Sequence, residues 1–455
     1  MSAIITERIK KLMIQNLYDD ITDSANNYYI AIGRSEDWDS SDTAPIPSPT
    51  EREIRNFRLS AQSAKLVTDW SFVIPRYNWA SNTTYYGYDD NTSGHPLNTY
   101  YVITDDNAVY ICLRQGKTTA GATVPSIVKP TGIDPKPFIT ADGYVWKFLY
   151  TVGTTYANRF LSANYMPVRL QGATDSDSLA VDVEQETVQN AAVPGQLAGF
   201  QMITNGSGYV SAPTVTIRGN GTGARATAIV SGGAVTNIIL AESSGSIVQG
   251  ANYGYADISL SGGGGTGASA RVVVGPKAGF GADPRDDLRA TAIMFNTKPD
   301  GTEGGKFVVD NDFRQLALLK NPTIADSAGL YIASAGTMLR YLRFSAISNP
   351  FTPDHTITGA TSGAMAYVDK TDSDQVWFHQ TEATGFKAFT EGEIVSEADG
   401  TGTGTLMSAG YDANTSADSA SDIDLFSGEI LYIENRAAVQ RSVGQIEDIK
   451  IIVQL

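Results

Sequence analysis

The sequence has few cysteines and histidines, the residues that most often supply thiol and zinc chemistry. Its one cysteine, Cys112, cannot form an intramolecular disulfide, which excludes a disulfide framework and favours a reducing compartment. Cys112 stands in an apolar stretch, which predicts a buried, unreactive thiol. The three histidines, His95, His355 and His379, have no ligand-like spacing, so we expect no zinc site built on them.

Positive charge is also scarce. The chain has 33 lysines and arginines against 49 aspartates and glutamates, a net charge of −16, and this field would repel nucleic acid and anionic membranes. No apolar run approaches the ~20 residues that cross a bilayer. The first 21 residues carry Glu7, Arg8, Lys10 and Lys11 where a signal peptide needs an unbroken apolar segment. We therefore expect no secretory signal, no membrane insertion and no nucleic-acid partner.

Glycine and tyrosine, in contrast, are abundant. The chain of 455 residues has 44 glycines, 22 tyrosines and few long helical patterns, which predicts a mainly β fold of two or three domains. The most informative stretch is Asp142–Val152, where alternation places Tyr144, Trp146, Phe148 and Tyr150 on one face of a strand. We expect this strand in the middle of a β-sandwich, paired with the strands at the far end of the chain, the one that follows Ser427 and the last one at Asp448–Leu455.

Local signals predict several other elements. Residues 3–20 have apolar side chains at helical spacing. Thr50 and Glu53 fit a capping box, which predicts a second helix as far as Val67. Two apolar runs that flank Asp105–Asn107 predict a hairpin.

Two glycine-rich segments interrupt the predicted sandwich. Thr222-Gly-Ala recurs as Thr266-Gly-Ala, 44 residues later, which indicates an internal repeat. We therefore predict a discontinuous β-sandwich core with helical loops from residues 1–172, 276–324 and 421–455. Residues 173–275 form one inserted glycine-rich β-repeat module, residues 325–420 form a second small β-module, and residues 412–422 look like a linker.

One glycine pattern imitates a nucleotide site. Gly262, Gly264 and Gly267 satisfy GxGxxG, but that motif needs a helix after the glycines, and Ala268–Val274 is predicted to be a strand. A glycine hairpin is the favoured interpretation, and no cofactor is expected.

Carboxylates cluster in three loops, at residues 37–42, 105–106 and 283–287. Such clusters can hold a hard cation or act as a glycosidase pair, although solvated loop charge is the favoured interpretation. We assign no catalytic residue, no cofactor-binding residue and no metal ligand.

Several short pieces, in the same order, carry a resemblance to a known family. They are Ile32–Glu36 with Trp38, Val73–Arg76 with Trp79, Val109–Tyr110 with Cys112–Leu113, Asp142–Trp146, Phe313–Gln315 with Asn321–Pro322, and Ser427–Glu429 followed by Tyr432 and Glu434–Arg436. The chain resembles the baseplate wedge protein that is the product of gene eight in T-even-type contractile-tailed bacteriophages. The two glycine-rich modules depart from that family's compact form.

The resemblance implies a non-enzymatic structural subunit with a β-sandwich core, which forms a homodimer and joins other wedge proteins. It also implies that the protein is assembled in the host cytoplasm and resides in the virion, in the tail baseplate. Carried over to this sequence, the structural or interface candidates are Gly33, Arg34, Trp38, Pro75, Arg76, Trp79, Asp142, Gly143, Tyr144, Trp146, Gly428, Glu429, Tyr432, Glu434, Asn435 and Arg436. Two other hypotheses remain: a host-surface glycan adhesin that uses the inserted β-modules, and a tail-associated glycosidase that uses paired carboxylates.

Overall fold

The structure is a computed structural model that describes residues 5–39, 41–95, 99–172, 180–243, 246–408 and 421–455. It is 40% strand and 12% helix, so the predicted mainly β fold is confirmed. None of the helices within these ranges combines the length and apolarity that a membrane span requires. The sequence expectation for residues 412–420 lies outside the described residues.

The helices are few and short. They are α1 (Glu7–Thr22), α2 (Glu51–Ser60), α3 (Thr154–Phe160), α4 (Ala180–Asn190), α5 (Pro284–Asp287) and a 3₁₀ turn at Glu303–Gly305. The Thr50 hydroxyl accepts a hydrogen bond from the Glu53 amide and so caps α2, as predicted. The extension of this helix to Val67 is wrong. After Ser60 the chain passes directly into a strand, Ala61–Leu66, which pairs with a strand on each side.

The strands form several antiparallel sheets. The first part of the chain contains β1 (Tyr28–Gly33), β2 (Ala61–Leu66), β3 (Asp69–Pro75), β4 (Tyr101–Ile103), β5 (Ala108–Arg114), β6 (Phe138–Ile139), β7 (Val145–Thr151) and β8 (Tyr165–Pro167). The middle contains β9 (Leu197–Ser207), β10 (Thr214–Gly219), β11 (Ala226–Ser231), β12 (Ala234–Leu240), β13 (Glu242–Ser243), β14 (Ser246–Ile247), β15 (Ala256–Ser261), β16 (Thr266–Val274) and β17 (Ala292–Thr297). The last part contains β18 (Asp312–Lys320), β19 (Ala335–Thr337), β20 (Arg340–Asn349), β21 (Thr356–Gly359), β22 (Met365–Thr371), β23 (Gln375–His379), β24 (Ile394–Glu397), β25 (Thr403–Leu406), β26 (Glu429–Gln440) and β27 (Ile449–Gln454).

The chain divides into two compact units. Unit 1 comprises residues 1–14, 71–294 and 454–455, and unit 2 comprises residues 15–70 and 295–453. This division does not follow the predicted boundaries, because the three segments of the predicted core are shared between the units. The two predicted modules, 173–275 and 325–420, each lie within a single unit.

The aromatic strand β7 lies inside unit 1, in a four-stranded sheet with the order β4-β5-β7-β6. Its predicted pairing with the strand after Ser427 is wrong, because that strand, β26, pairs with β18. The nearby hairpin β4–β5 supplies the partner instead, with Cys112 opposite Trp146 and Tyr110 opposite Phe148. A partner close in sequence closes a shorter loop and so costs less entropy. Both faces of β7 are buried, as predicted.

The two copies of the 44-residue repeat in unit 1 make a pair of crossed contacts, in which a glycine of each copy meets a tyrosine of the other. In the first copy, a Cβ added to Gly221 would come within 2.4 Å of the Tyr253 ring. In the second copy, a Cβ on Gly265 would come within 2.5 Å of the Tyr209 ring. Tyr209 and Tyr253 are themselves 44 residues apart, and both lie in the core of the module. Each tyrosine therefore packs on the glycine that belongs to the other copy.

Of the glycines in the GxGxxG pattern, Gly262 and Gly264 lie between β15 and β16 and Gly267 lies in β16, so they are followed by a strand and not by a nucleotide-binding helix. Ala268–Val274 lies within β16, as predicted. The predicted hairpin is wrong in its pairing, because β15 pairs with β10 and β16 pairs with β9. The turn between β15 and β16 therefore connects two different antiparallel strand pairs.

Unit 2 contains a five-stranded sheet and a small closed barrel. The sheet has the order β19-β2-β1-β18-β26, and the barrel has the order β20-β23-β22-β21-β24-β25. Barrel strand β23 places Val376 and Phe378 in the interior, as alternation requires. The segment 340–406 is therefore a β-module, in agreement with the glycine-rich pattern from which it was predicted.

We expect Gly221→Ala and Gly265→Ala each to lower the free energy of unfolding of the module by about 1–3 kcal/mol, the usual cost of overpacking. The new methyl group would overlap a buried tyrosine ring in both variants. Hydrogen exchange of the amides in β10 and β15 measures this directly. Gly199→Ala is the control, because a Cβ there would meet only the Leu113 carbonyl oxygen, at 3.9 Å. Equal losses in all three variants would contradict the prediction.

Candidate functional site

The candidate site of unit 2 begins where the chain leaves β1. A Cβ on Gly33 would lie 2.8 Å from the Ser60 carbonyl oxygen and 3.0 Å from the Ala61 Cα, so this position needs glycine. The Arg34 amide then donates to the Ser60 carbonyl oxygen at 2.9 Å. The end of β1 is thereby fixed against the junction of α2 and β2.

Arg34 and Trp38 form the first wall of the site. The Arg34 guanidinium carbon lies 4.2 Å from the Trp38 ring centroid, a cation–π contact. The Trp38 indole nitrogen donates to the carbonyl oxygen of Arg436 at 2.9 Å. Two predicted positions at opposite ends of the sequence therefore meet, and the loop after β1 is tied to β26.

Arg314 of β18 also stabilises the loop that follows β1. Its guanidinium forms ion pairs with Asp37 at 2.5 Å, Asp42 at 2.8 Å and Asp312 at 2.5 Å. The hydrogen bond from Arg314 lowers the pKa of the Asp42 carboxyl below its usual value. The acidic stretch 37–42, considered above as a cation site, instead binds a side chain of its own unit.

The neighbouring residue, Gln315, links β18 to β26. Its amide nitrogen donates to the Asn435 side-chain oxygen at 2.8 Å. The Asn435 amide donates in turn to the Pro45 carbonyl oxygen at 3.1 Å. Asn435, another of the predicted positions, is thus hydrogen-bonded to the loop that carries Trp38.

These contacts enclose one side of an open groove of about 600 Å³, here called the motif groove. Its lining includes Arg34, Trp38, Ile46, Glu382 and Asn435. Glu382 forms ion pairs with Arg52 and Arg55 of α2, at 2.6 and 3.4 Å. Ile46 is 95% exposed, which is unusual for isoleucine. The groove therefore combines charged, aromatic and exposed apolar groups, as protein-binding surfaces do.

A buried ionic network lies beside the groove. His379 Nδ1 is 2.7 Å from Asp369 Oδ2, and His379 Nε2 is 3.3 Å from Glu36 Oε2. Asp369 is the extra residue of a register shift in β22 and also accepts from Ser35 and Gln62. Burial lowers the pKa of His379, but the two carboxylates outweigh burial and raise it to about 10. Sequence reasoning missed this network, because its members are far apart in the chain.

The predicted residues at the start of β26 contact other parts of unit 2 or their own strand. Gly428 has φ +64°, and a Cβ there would lie 2.5 Å from the Lys320 carbonyl oxygen. Arg58 of α2 donates to the carbonyl oxygens of Ser427 and Gly428, at 2.6 and 2.8 Å. Along the same strand the Tyr432 hydroxyl donates to Glu434 at 3.0 Å, whereas Glu429 is exposed.

The other predicted residues belong to unit 1 and form a separate group. The list comprises Pro75, Arg76, Trp79, Asp142, Gly143, Tyr144 and Trp146. Asp142 accepts hydrogen bonds from the amides of Ile127 and Val128, at 2.8 and 3.0 Å. Trp79 donates to the Ser126 hydroxyl at 3.2 Å, and the Tyr144 hydroxyl donates to the Val124 carbonyl oxygen at 2.7 Å.

The remaining members of that group also hold unit 1 together. Arg76 donates to the Ser162 carbonyl oxygen at 2.9 Å, and Pro75 ends β3. Gly143 adopts φ +83°, which glycine accommodates without strain, and Trp146 is fully buried. This part of the predicted set therefore orders a loop and a core, and contributes nothing to the motif groove.

The two other carboxylate clusters have cationic neighbours. Lys129 lies 2.6 Å from Asp105 and 2.8 Å from Asp106, and Arg285 lies 2.9 Å from Asp283. Within the described ranges no three His, Cys, Asp or Glu side chains are grouped so that they could hold a metal ion. No protein-family model matches the chain, and no curated protein gives a significant match.

The His379 network predicts a pH-dependent stability. Because the pKa of His379 is about 10 when folded and about 6.5 when unfolded, its stabilisation is complete below about pH 6.5 and is lost as the pH rises through 10. We expect the free energy of unfolding of the wild-type protein to fall by roughly 2–4 kcal/mol between about pH 7 and pH 10, and His379→Gln to remove most of this slope. Urea unfolding followed by tryptophan fluorescence measures both.

His95→Gln is the matched control. Burial lowers the pKa of His95, so its titration affects the acidic side only, and the alkaline slope should remain. An unchanged alkaline slope in His379→Gln would contradict the assignment.

Proposed function

We propose that this chain is a non-enzymatic structural subunit of a phage tail baseplate wedge. The single observation that carries the proposal is the meeting of three distant pieces, Arg34–Trp38, Arg314–Gln315 and Asn435–Arg436, at the motif groove. These pieces are among those that resemble the baseplate wedge family. Their hydrogen bonds give the groove a fixed shape, which favours recognition of a neighbouring protein.

The motif groove is the surface through which the subunit joins another wedge protein. Its exposed Ile46 and the Trp38 side chain supply apolar contact, and Glu382, which forms an ion pair with Arg52, supplies charge. Central apolar anchors with a polar rim are the usual composition of such interfaces. In this proposal assembly takes place in the host cytoplasm, and the finished subunit resides in the virion.

Ile46→Asp tests this surface. We expect the variant to bind the other wedge proteins at least about tenfold more weakly, because it places a carboxylate in an apolar contact. Its unfolding midpoint should not change, since Ile46 is almost fully exposed. Sedimentation of mixtures with the other wedge proteins of the same tail gives the measurement.

Val210→Asp is the control, because Val210 is an exposed apolar residue of unit 1. It should leave assembly unchanged. A wild-type chain that joins no wedge protein but is retained on host polysaccharide would replace this proposal by the adhesin hypothesis.

The proposed homodimer has a candidate contact in β26. This strand of 12 residues ends the five-stranded sheet, and in the described part of the chain no strand pairs with its outer side. Its first half carries Leu431, whose side chain is 46% exposed. An open edge with exposed apolar side chains favours pairing with a second strand, and two copies of β26 would meet about a twofold axis.

Leu431→Lys should weaken the dimer by about tenfold or more, because lysine on an edge strand opposes pairing. Sedimentation equilibrium of the isolated chain measures this. Leu330→Lys serves as the control, since Leu330 is a comparably exposed leucine of unit 2 outside β26. A wild-type monomer, or an equal effect of both substitutions, would exclude this interface.

A further inference from the structure

Unit 1 contains a cavity of about 140 Å³ that none of the preceding sections uses. Its lining includes Arg114 at the end of β5 and Val145 at the start of β7. Phe200 of β9 and Ile238 of β12 also line it. Tyr86, which is 45% exposed, is also in the lining, so the cavity reaches solvent.

Two cations in the lining of this cavity have no hydrogen-bond or ion-pair partner in the described part of the chain. Arg114 and Lys117 are both in its lining, and neither side chain has a hydrogen bond or ion pair within the described residues. Burial lowers the pKa of both groups below their usual values. The negative charge of the exposed Glu242 acts in the opposite direction and raises the pKa of Arg114, but burial outweighs it.

This situation contrasts with other arginines of the same unit. Arg271 forms ion pairs with Asp89 and Asp90, and Arg169 forms an ion pair with Asp182. A partly desolvated cation without an ion pair is costly in free energy. Two such cations on one cavity, Arg114 and Lys117, indicate a binding place for an anion from outside the chain.

Much of the remaining lining is apolar, which favours a ligand with an apolar group. Val145, Phe200, Ile238 and Leu240 are all buried and apolar. Gln249 adds an amide, which donates to the Leu197 carbonyl oxygen at 3.0 Å and is thereby held in place. An apolar cavity of about 150 Å³ is large enough for benzene.

We propose that this cavity binds a small organic carboxylate. Arg114 and Lys117 bind the carboxylate group, and Phe200 and Ile238 contact a flat apolar body of about the size of a single ring. A guanidinium fits a carboxylate because two parallel N–H groups meet its two oxygens. This binding site is independent of the proposed role in a baseplate.

The test is calorimetric titration of the whole chain with benzoate, which has the required charge and size. We expect benzoate to bind, and benzamide, acetate and inorganic phosphate to bind at least about tenfold more weakly, because each lacks either the charge or the apolar ring. Arg114→Gln and Lys117→Gln should each weaken benzoate binding by about tenfold or more. Arg218→Gln is the matched control, since Arg218 is an exposed arginine of the same unit outside the cavity.

Unfolding midpoints separate a binding role from a structural one. Arg114→Gln removes an unpaired charge, so its midpoint should equal or exceed that of the wild-type protein. A lowered midpoint would assign Arg114 to the stability of unit 1 and overturn the proposal. The proposal is also overturned if benzoate does not bind, if benzamide binds equally well, or if Arg218→Gln has the same effect as Arg114→Gln.

Discussion

Unit 2 depends on one buried cation, Arg314. Its guanidinium is 6% exposed and forms ion pairs with three carboxylates, two of them in the loop that follows β1. Removal of Arg314 would leave the partly buried carboxylates of Asp42 and Asp312 without their cation, which is costly in free energy. The position of Trp38, its hydrogen bond to β26 and one wall of the motif groove follow from this loop. A single side chain on β18 therefore determines a surface built from both ends of the unit.

Unit 1 buries charge in a different way. Lys147 of the aromatic strand and Asp287 of α5 are both buried, and one oxygen of Asp287 accepts only from the Gly281 amide, at 2.6 Å. Burial lowers the pKa of Lys147 to about 8 and raises that of Asp287 to about 8. The contribution of Asp287 to stability is complete below its unfolded pKa and is lost as the pH rises through 8. Both units therefore lose a stabilising contribution as the pH rises. In unit 1 the loss extends to about pH 8, because burial disfavours a charged Asp287, and in unit 2 it extends to about pH 10, because the carboxylates around His379 favour its charged form.

The sequence predicted those features that depend on neighbouring residues. Alternation found β7, glycine repetition found the module of unit 1, and Thr50 marked the start of α2. The predicted strand pairing was wrong where distant segments compete for the same partner strand. β7 pairs with the nearby β5, and β26 pairs with β18, a choice that no local pattern records.

Some residues of the motif groove could be predicted from the sequence, but their meeting in space could not. Arg34, Trp38, Asn435 and Arg436 were identified from short pieces that resemble a known family, although nothing in their spacing indicated that they would meet. His379 and Asp369 were missed, because a lone histidine and a lone aspartate carry no signal until the barrel brings them together. Arg114 and Lys117 were missed because the lack of a partner is a property of three-dimensional surroundings only.

The crossed contacts of Tyr209 with Gly265 and of Tyr253 with Gly221 make the two copies of the repeat depend on each other. Half of the module would leave its tyrosine without the glycine on which it packs, so we expect neither copy to fold stably alone. A substitution at one glycine displaces a tyrosine of the opposite copy and therefore lowers the stability of both. The module is thus a single folding unit of two repeats, unlike solenoid arrays, whose stability is approximately a sum over repeats and their interfaces.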